Sequence, residues 1–189
     1  MNIFLKPGEI YISDKPEIVT TILGSCVALT IFSKRLRVGG ICHAQLPINP
    51  SPSGDDPFRY VDSSLLYMLK KIEIMGISKG EMEIKLIGGA DVLDRTHTNS
   101  STVGQKNIET ALSLIQGQGL SLAASHVGGE LGRKIHFHVH TGRILLKRIT
   151  RISNEETRTV NTRFRTLTKQ RNRNASPEHN YFTNITETP

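Results

Sequence analysis

The chain has 189 residues, 37% of them hydrophobic, enough for one well-cored domain and too few for two comfortable ones. Aromatic residues make up 5% and Trp is absent, which argues against a surface built to stack bases or sugars. Of the net charge of +7, the last part of the chain (151–189) carries +3 and residues 1–150 carry +4, so the body is only mildly basic.

Short strands are predicted over Glu9–Ser13 and Ile18–Leu23, on either side of the turn-forming Asp14-Lys15-Pro16. Gly24-Ser25-Cys26 interrupts the second run and Val27–Phe32 resumes it. Val38–Ala44 follows as another strand, entered through Gly39-Gly40. Pro47–Pro57 holds four prolines with Gly54, Asp55 and Asp56, and is a long loop. Tyr60–Met75 is the clearest helix, with Val61, Leu65, Leu69 and Ile72 at near-helical spacing and Gly76 to end it. Glu83–Ile87 reads as a strand closing on Gly88-Gly89, and Asp91–Ser101 as a polar loop. Gly104–Gln116 reads as a second helix with Ile108, Leu112 and Ile115 on its inner side. Leu120–Ala124, Lys134–Val139 and Arg143–Ile149 complete the core as strands, the last two joined at His140-Thr141-Gly142.

Strands outnumber helices and often follow one another directly, so the expected class is α+β rather than doubly wound α/β. Beyond about Arg151 the composition turns polar and aperiodic. This divides the chain into a domain of residues 1–150 and a basic, flexible extension, 151–189. The extension suits loose attraction to an anionic surface, but no recognition helix or aromatic platform accompanies its charge, so no nucleic-acid partner is expected.

Met1–Ile10 lacks a basic end followed by a long apolar run, and no apolar stretch approaches membrane-spanning length. Both points lead to the expectation of a cytoplasmic protein without membrane insertion, where a disulfide between Cys26 and Cys42 is a poor default. Two cysteines in such a compartment are either buried filler or chemistry. A cysteine on a tight glycine turn between strands can be presented at a sheet edge beside free backbone N–H groups, which suit the oxyanion of an acyl-transfer intermediate. Gly24, Ser25 and Cys26 form such a turn. The thiolate is the attacking species, so Cys26 needs a nearby imidazole, and His43 stands near the end of a following strand. On spacing alone a buried structural cysteine competes with this reading. Cys42 adjoins His43 in the strand and must face the opposite way, toward the core. His136, His138 and His140 sit at alternate positions, a spacing metal sites can use, but no cysteine or carboxylate accompanies them at familiar spacing and no metal is expected. Gly88-Gly89 and Gly128-Gly129 lack the spacing of a nucleotide-binding loop.

Taken together, several segments resemble the chemoreceptor glutamine deamidases of the CheD family. They are Thr20 with Leu23-Gly24-Ser25-Cys26-Val27, Gly39-Gly40 leading to His43 and Leu46-Pro47, and Arg59-Tyr60 with Asp62. Gly88-Gly89-Ala90, Gly104-Gln105-Lys106-Asn107, Gly128-Gly129 with Gly132-Arg133-Lys134, Phe137 and Thr141-Gly142-Arg143 continue the series. The order and spacing hold over roughly residues 5–150. The resemblance implies a layered α/β/β sandwich similar to the catalytic domain of cytotoxic necrotizing factor toxins. It implies Cys26 as nucleophile, His43 as its acid–base partner, and Thr20, next to a second threonine at Thr21, as the third member. The implied activity converts glutamines of chemoreceptor cytoplasmic domains to glutamate without metal or organic cofactor, and the same thiol chemistry permits hydrolysis of receptor methyl esters. A regulatory role, docking on and stimulating a CheC-type phosphatase, is the alternative that the resemblance also implies.

Overall fold

Side-chain alternation along the strands decides the architecture. In the strand Val27–Ser33, Val27, Leu29 and Ile31 belong to one buried cluster and Ala28 to another, so the strand lies between two apolar layers. The computed structural model describes residues 1–51, 54, 56–91, 101–149 and 183–184. Its strands in chain order are β1 (Asn2–Phe4), β2 (Ile10–Ser13), β3 (Ile18–Leu23), β4 (Val27–Ser33), β5 (Val38–Ala44), β6 (Met82–Gly88), β7 (Leu122–Val127), β8 (Gly132–His138), β9 (Arg143–Ile149) and β10 (Thr183–Asn184). Helix α1 (Val61–Ile74) follows β5, and α2 (Val103–Gly117) connects β6 to β7.

A central sheet of order β2-β5-β4-β6-β7 packs between two other layers. One of its faces, with Leu29, Ile31, Cys42, Ile84 and Leu86, meets the α1 stripe Val61, Leu65, Met68, Leu69 and Ile72 together with Ala111 and Ile115 of α2. Its other face, with Ala28, Ile41 and Ile87, meets Val19, Leu23, Ile135, Phe137, Ile144 and Leu146. Those residues belong to an outer sheet of order β1-β3-β8-β9-β10. The layers therefore run helices, sheet, sheet, and the class is α+β. The pairs β1–β3 and β6–β7 are parallel, and the second of these has α2 as its crossover. Among the described residues no helix is long and apolar enough to cross a membrane.

The expected strands and helices are present, with three differences. The strand β1 was not expected; three residues carry no usable period, and it forms by lying parallel to β3. The strand β7 starts and ends later than its apolar run because it pairs with β6 as far as Gly88↔Val127. On α2 the buried stripe is Gly104, Asn107, Ala111 and Ile115, whereas Leu112 is 41% exposed. An apolar stripe and the true one overlap at helical spacing there, and the buried Asn107 is inward because it has carbonyls to bind. The loop Asp91–Ser101 lies outside the described residues apart from its two ends. So does the extension 151–189, except that Thr183–Asn184 pair with Leu146 and Leu145 of β9.

The alternation expected around His43 holds: Cys42 is fully buried against the helices, and His43 faces the outer sheet. Replacing Cys42 with Ala removes a small buried group remote from that second face. We expect a stability loss of about 1 kcal/mol in denaturant titration, with no change in the rate at which Cys26 is alkylated.

Candidate active site

Between β3 and β4 the chain reverses through Gly24-Ser25-Cys26, and every carbonyl of this turn is held. The Ala90 amide donates to the Gly24 carbonyl at 2.8 Å, and the Gly89 amide to that of Cys26 at 2.8 Å. The Asn107 side-chain amide donates to the Ser25 carbonyl at 3.0 Å. Glycine is required at 88 for this approach: its φ is 113°, and a Cβ there would lie 2.3 Å from the Cys26 oxygen. With the carbonyls drawn toward the β6–α2 connection, neither the Ser25 nor the Cys26 amide donates to a backbone carbonyl among the described residues. Two donors beside a cysteine are what an oxyanion needs.

Asn107 does a second job. The same Nδ2 donates to the Gln45 carbonyl at 2.9 Å, so one fully buried side chain ties the cysteine turn to the segment just after His43. Its Oδ1 is buried without a partner among the described residues.

His43 stands on β5 opposite Ala28 of β4. Cys26, two residues before Ala28, packs into the same inter-sheet cluster as Ala28. In an antiparallel pair such diagonal neighbours lie about 7–8 Å apart at Cα, within reach of side chains. The backbone of His43 is fixed at both ends, its amide donating to Glu9 and its carbonyl accepting from Gly8. The imidazole is fixed by a hydroxyl. Thr21 Oγ1 lies 2.8 Å from the Leu5 carbonyl and 2.7 Å from His43 Nδ1. A carbonyl can only accept, so the single hydroxyl proton of Thr21 goes to Leu5, and the oxygen accepts from Nδ1–H. Nε2 is then the bare nitrogen. It is buried and without a hydrogen bond among the described residues, a base with no bound proton to share.

Thr20, expected as the third member, is not on this face. Side chains alternate on β3, and Val19, Thr21 and Leu23 point between the sheets. The Thr20 hydroxyl instead meets His136 Nδ1 at 2.8 Å on the outer face of β8. The hydroxyl on His43 is that of Thr21. Of the expected residues, the structure brings together Gly24, Ser25, Cys26 and His43. Sequence reasoning missed the parts played by Thr21, Leu5 and Asn107. For Asn107 a signal existed: it is the polar member of a Gly-Asn-Ala-Ile stripe on α2. His136 and His138 share the outer face of β8, while His140 lies past its end with its ring near Arg37 and the Asp14 carbonyl.

Burial sets the protonation of the pair. It raises the Cys26 thiol from 9.0 to about 11, against a small opposing effect of its own backbone N–H. It lowers the His43 imidazole from 6.5 to about 4, against a small opposing effect of the Leu5 carbonyl. Both shifts favour the uncharged forms, neutral thiol and neutral imidazole, in the free protein.

A family profile described as "CheD chemotactic sensory transduction" matches residues 45–148. The chain is 45% identical to a "Probable chemoreceptor glutamine deamidase CheD 2" of Geobacter sulfurreducens, over 79% of this chain and 91% of the relative. The chain belongs to the CheD family. A "Probable chemoreceptor glutamine deamidase CheD" of Maridesulfovibrio salexigens is 38% identical over 78% of this chain and 92% of its own length. One of Thermococcus kodakarensis is 34% identical over 79% and 94%. The CheD-like motifs Gly88-Gly89-Ala90 and Gly104 to Asn107 are, in this structure, the clamp on the cysteine turn.

The neutral resting pair has a measurable consequence. Alkylation of Cys26 by iodoacetamide in the free protein should keep rising with pH toward an apparent pKa near 11, and His43→Ala should leave that profile in place. A plateau reached near neutrality would mean a preformed thiolate–imidazolium pair and a different site.

Proposed function

We propose that this chain is a protein-glutamine deamidase acting on side-chain amides of chemoreceptor cytoplasmic regions, with Cys26, His43 and Thr21 as its working residues. The observation that carries the reading is the Leu5–Thr21–His43 relay, which leaves a bare Nε2 on the face of the sheet that Cys26 also packs against. The names of the relatives supply the substrate class. Asn107 is a positioning residue on this reading, because it acts only through the turn and Gln45.

Cys26 Sγ attacks the amide carbon of a glutamine while its proton passes to His43 Nε2. The Ser25 and Cys26 amides hold the oxygen that becomes negative. The imidazolium formed is unstable in this buried setting, so it readily returns the proton to the leaving nitrogen, which departs as ammonia. A thioester remains on Cys26. Water, deprotonated by His43, adds to its carbonyl, and collapse releases glutamate and the thiol. The substrate must enter to make the first transfer favourable: it excludes water and brings the amides their oxyanion.

The helix–sheet–sheet layering supports the finer likeness to the cytotoxic necrotizing factor catalytic domain, and that likeness is part of the proposal. So are a cytoplasmic location and the division into a catalytic domain, 1–150, and an extension, 151–189.

Mass analysis of a chemoreceptor cytoplasmic fragment after incubation tests the reading. Amide-to-acid conversion is expected at individual glutamines with the full chain and with a chain ending at Arg151, and none with Cys26→Ala. Conversion by Cys26→Ala, or none by any form, would sink it. The two threonines give a sharper test. Thr21→Val strands the Leu5 carbonyl and frees the His43 tautomer, so kcat should fall roughly tenfold or more, with about 1–3 kcal/mol lost from stability. Thr20→Val should leave kcat near the parent value. The reverse ranking would return the third place to Thr20.

A further inference from the structure

A second polar cluster lies at the same end of the outer sheet as the cysteine turn. Arg133 of β8 pairs in register with Leu23, the residue before Gly24-Ser25-Cys26, and is only 4% exposed. Its Nε donates to His126 Nδ1 at 2.8 Å, and its terminal nitrogens donate to the Leu131 and Gly128 carbonyls. A guanidinium Nε always carries hydrogen, so Nδ1 of His126 is the bare nitrogen and Nε2 carries the ring proton. Yet Nε2 lies 3.2 Å from Nη2 of Arg148, which also can only donate. Two donors face each other with no acceptor between them.

Among the described residues no carboxylate is paired with this charge. Glu130 borders the same space and pairs with neither arginine. The cluster opens into a cleft of about 400 Å³ that is also lined by Gly128 and Gly129, where a Cβ would meet nothing within 4 Å. Burial, and then the neighbouring Arg148, lower the pKa of Arg133; burial and both arginines do the same to His126. These groups repel one another as they stand, and an anion between them removes the conflict.

We propose that this cleft is an oxyanion site, in which one oxygen accepts from His126 Nε2 and the Arg148 guanidinium together. On the deamidase reading above, on which this part rests, the ligand is a carboxylate side chain of the polypeptide substrate. Its place argues for that source. His126 pairs with Ile87 and Ile87 with Ala28, so two strand spacings, about 9.6 Å, separate His126 from Ala28, and Cys26 stands two residues before Ala28, at most about 7 Å along the chain. An acid bound in the cleft and an amide at Cys26 therefore sit roughly 10–15 Å apart, two to three turns of one helix. The backbone joins the two places directly: the Gly128 amide donates to the Gly88 carbonyl, and the Gly89 amide to that of Cys26.

Two measurements on the full chain test this. In the first, inorganic phosphate is titrated while the ring nitrogens of His126 are followed by NMR, the resonances being assigned by their loss in His126→Asn. A saturable shift is expected in the parent and none in Arg148→Gln, whose partly exposed side chain makes it safer for folding than a change at Arg133. In the second, kcat/KM is compared for a receptor fragment with Glu two to three turns from its target glutamine and for the same fragment with that Glu→Gln. The parent should favour the acidic fragment about tenfold, through KM, and in Arg148→Gln the ratio should fall to about one. No shift even in large phosphate excess overturns the oxyanion site. A shift with equal use of both fragments overturns the substrate carboxylate and leaves a site for free anions. If neither fragment is converted the deamidase reading fails, and the phosphate titration still decides the site.

Discussion

The hydroxyl of Thr21 has one proton, and the Leu5 carbonyl takes it. That single assignment propagates through the site. The oxygen of Thr21 must then accept from His43 Nδ1, and the far nitrogen of the ring must be bare, the form that the proposed base requires. The relay draws on three strands or their ends: β1 brings Leu5, β3 brings Thr21 and β5 brings His43. Two of these belong to the outer sheet and one to the central sheet, so the face-to-face packing of the sheets is itself what sets the His43 tautomer.

The cysteine turn depends on a different set of contacts. Its carbonyls are spoken for by Gly89, Ala90 and Asn107, all from the β6–α2 region, and its orientation is therefore fixed from the helix side of the molecule. The cysteine turn and the His43 ring are held by independent sets of contacts. Neither raises the reactivity of the other at rest: burial keeps the thiol protonated and the imidazole uncharged. On the proposed mechanism such a pair reacts once a substrate fills the site, which would suit a thiol enzyme surrounded by other proteins' amides.

Much of this was legible in the sequence. Glycine punctuation and period-two apolar runs located β3, β4, β5, β8 and β9 closely, and α1 declared itself by spacing. The opposite facing of Cys42 and His43 followed from alternation, while Cys26 and His43 as the reacting pair came from turn chemistry and family resemblance and belong to the proposal. The choice between Thr20 and Thr21 did not follow. Both are flanked two residues away by apolar side chains, in Ile18-Val19-Thr20-Thr21-Ile22-Leu23, so the pattern does not say which face is the inner one. Only the pairing of β3 with β8 decides it, and that is a contact across more than a hundred residues of chain. For Asn107 the stripe on α2 marked an inward polar residue, but not its partners, because these are backbone carbonyls, which leave no mark on the residues that bear them.

The clamp and the relay also order events in time. Cys26 and His43 leave the ribosome early, but the residues that orient the cysteine turn come at 89 to 107, and the strand that seats β3 spans Gly132–His138. Contacts so distant along the chain form slowly, because the intervening loop must be closed before they return any stabilisation. On the proposed mechanism a nascent or partly folded chain would carry its thiol without the geometry to use it, so the long-range topology of the outer sheet would also guard against indiscriminate amide attack during synthesis.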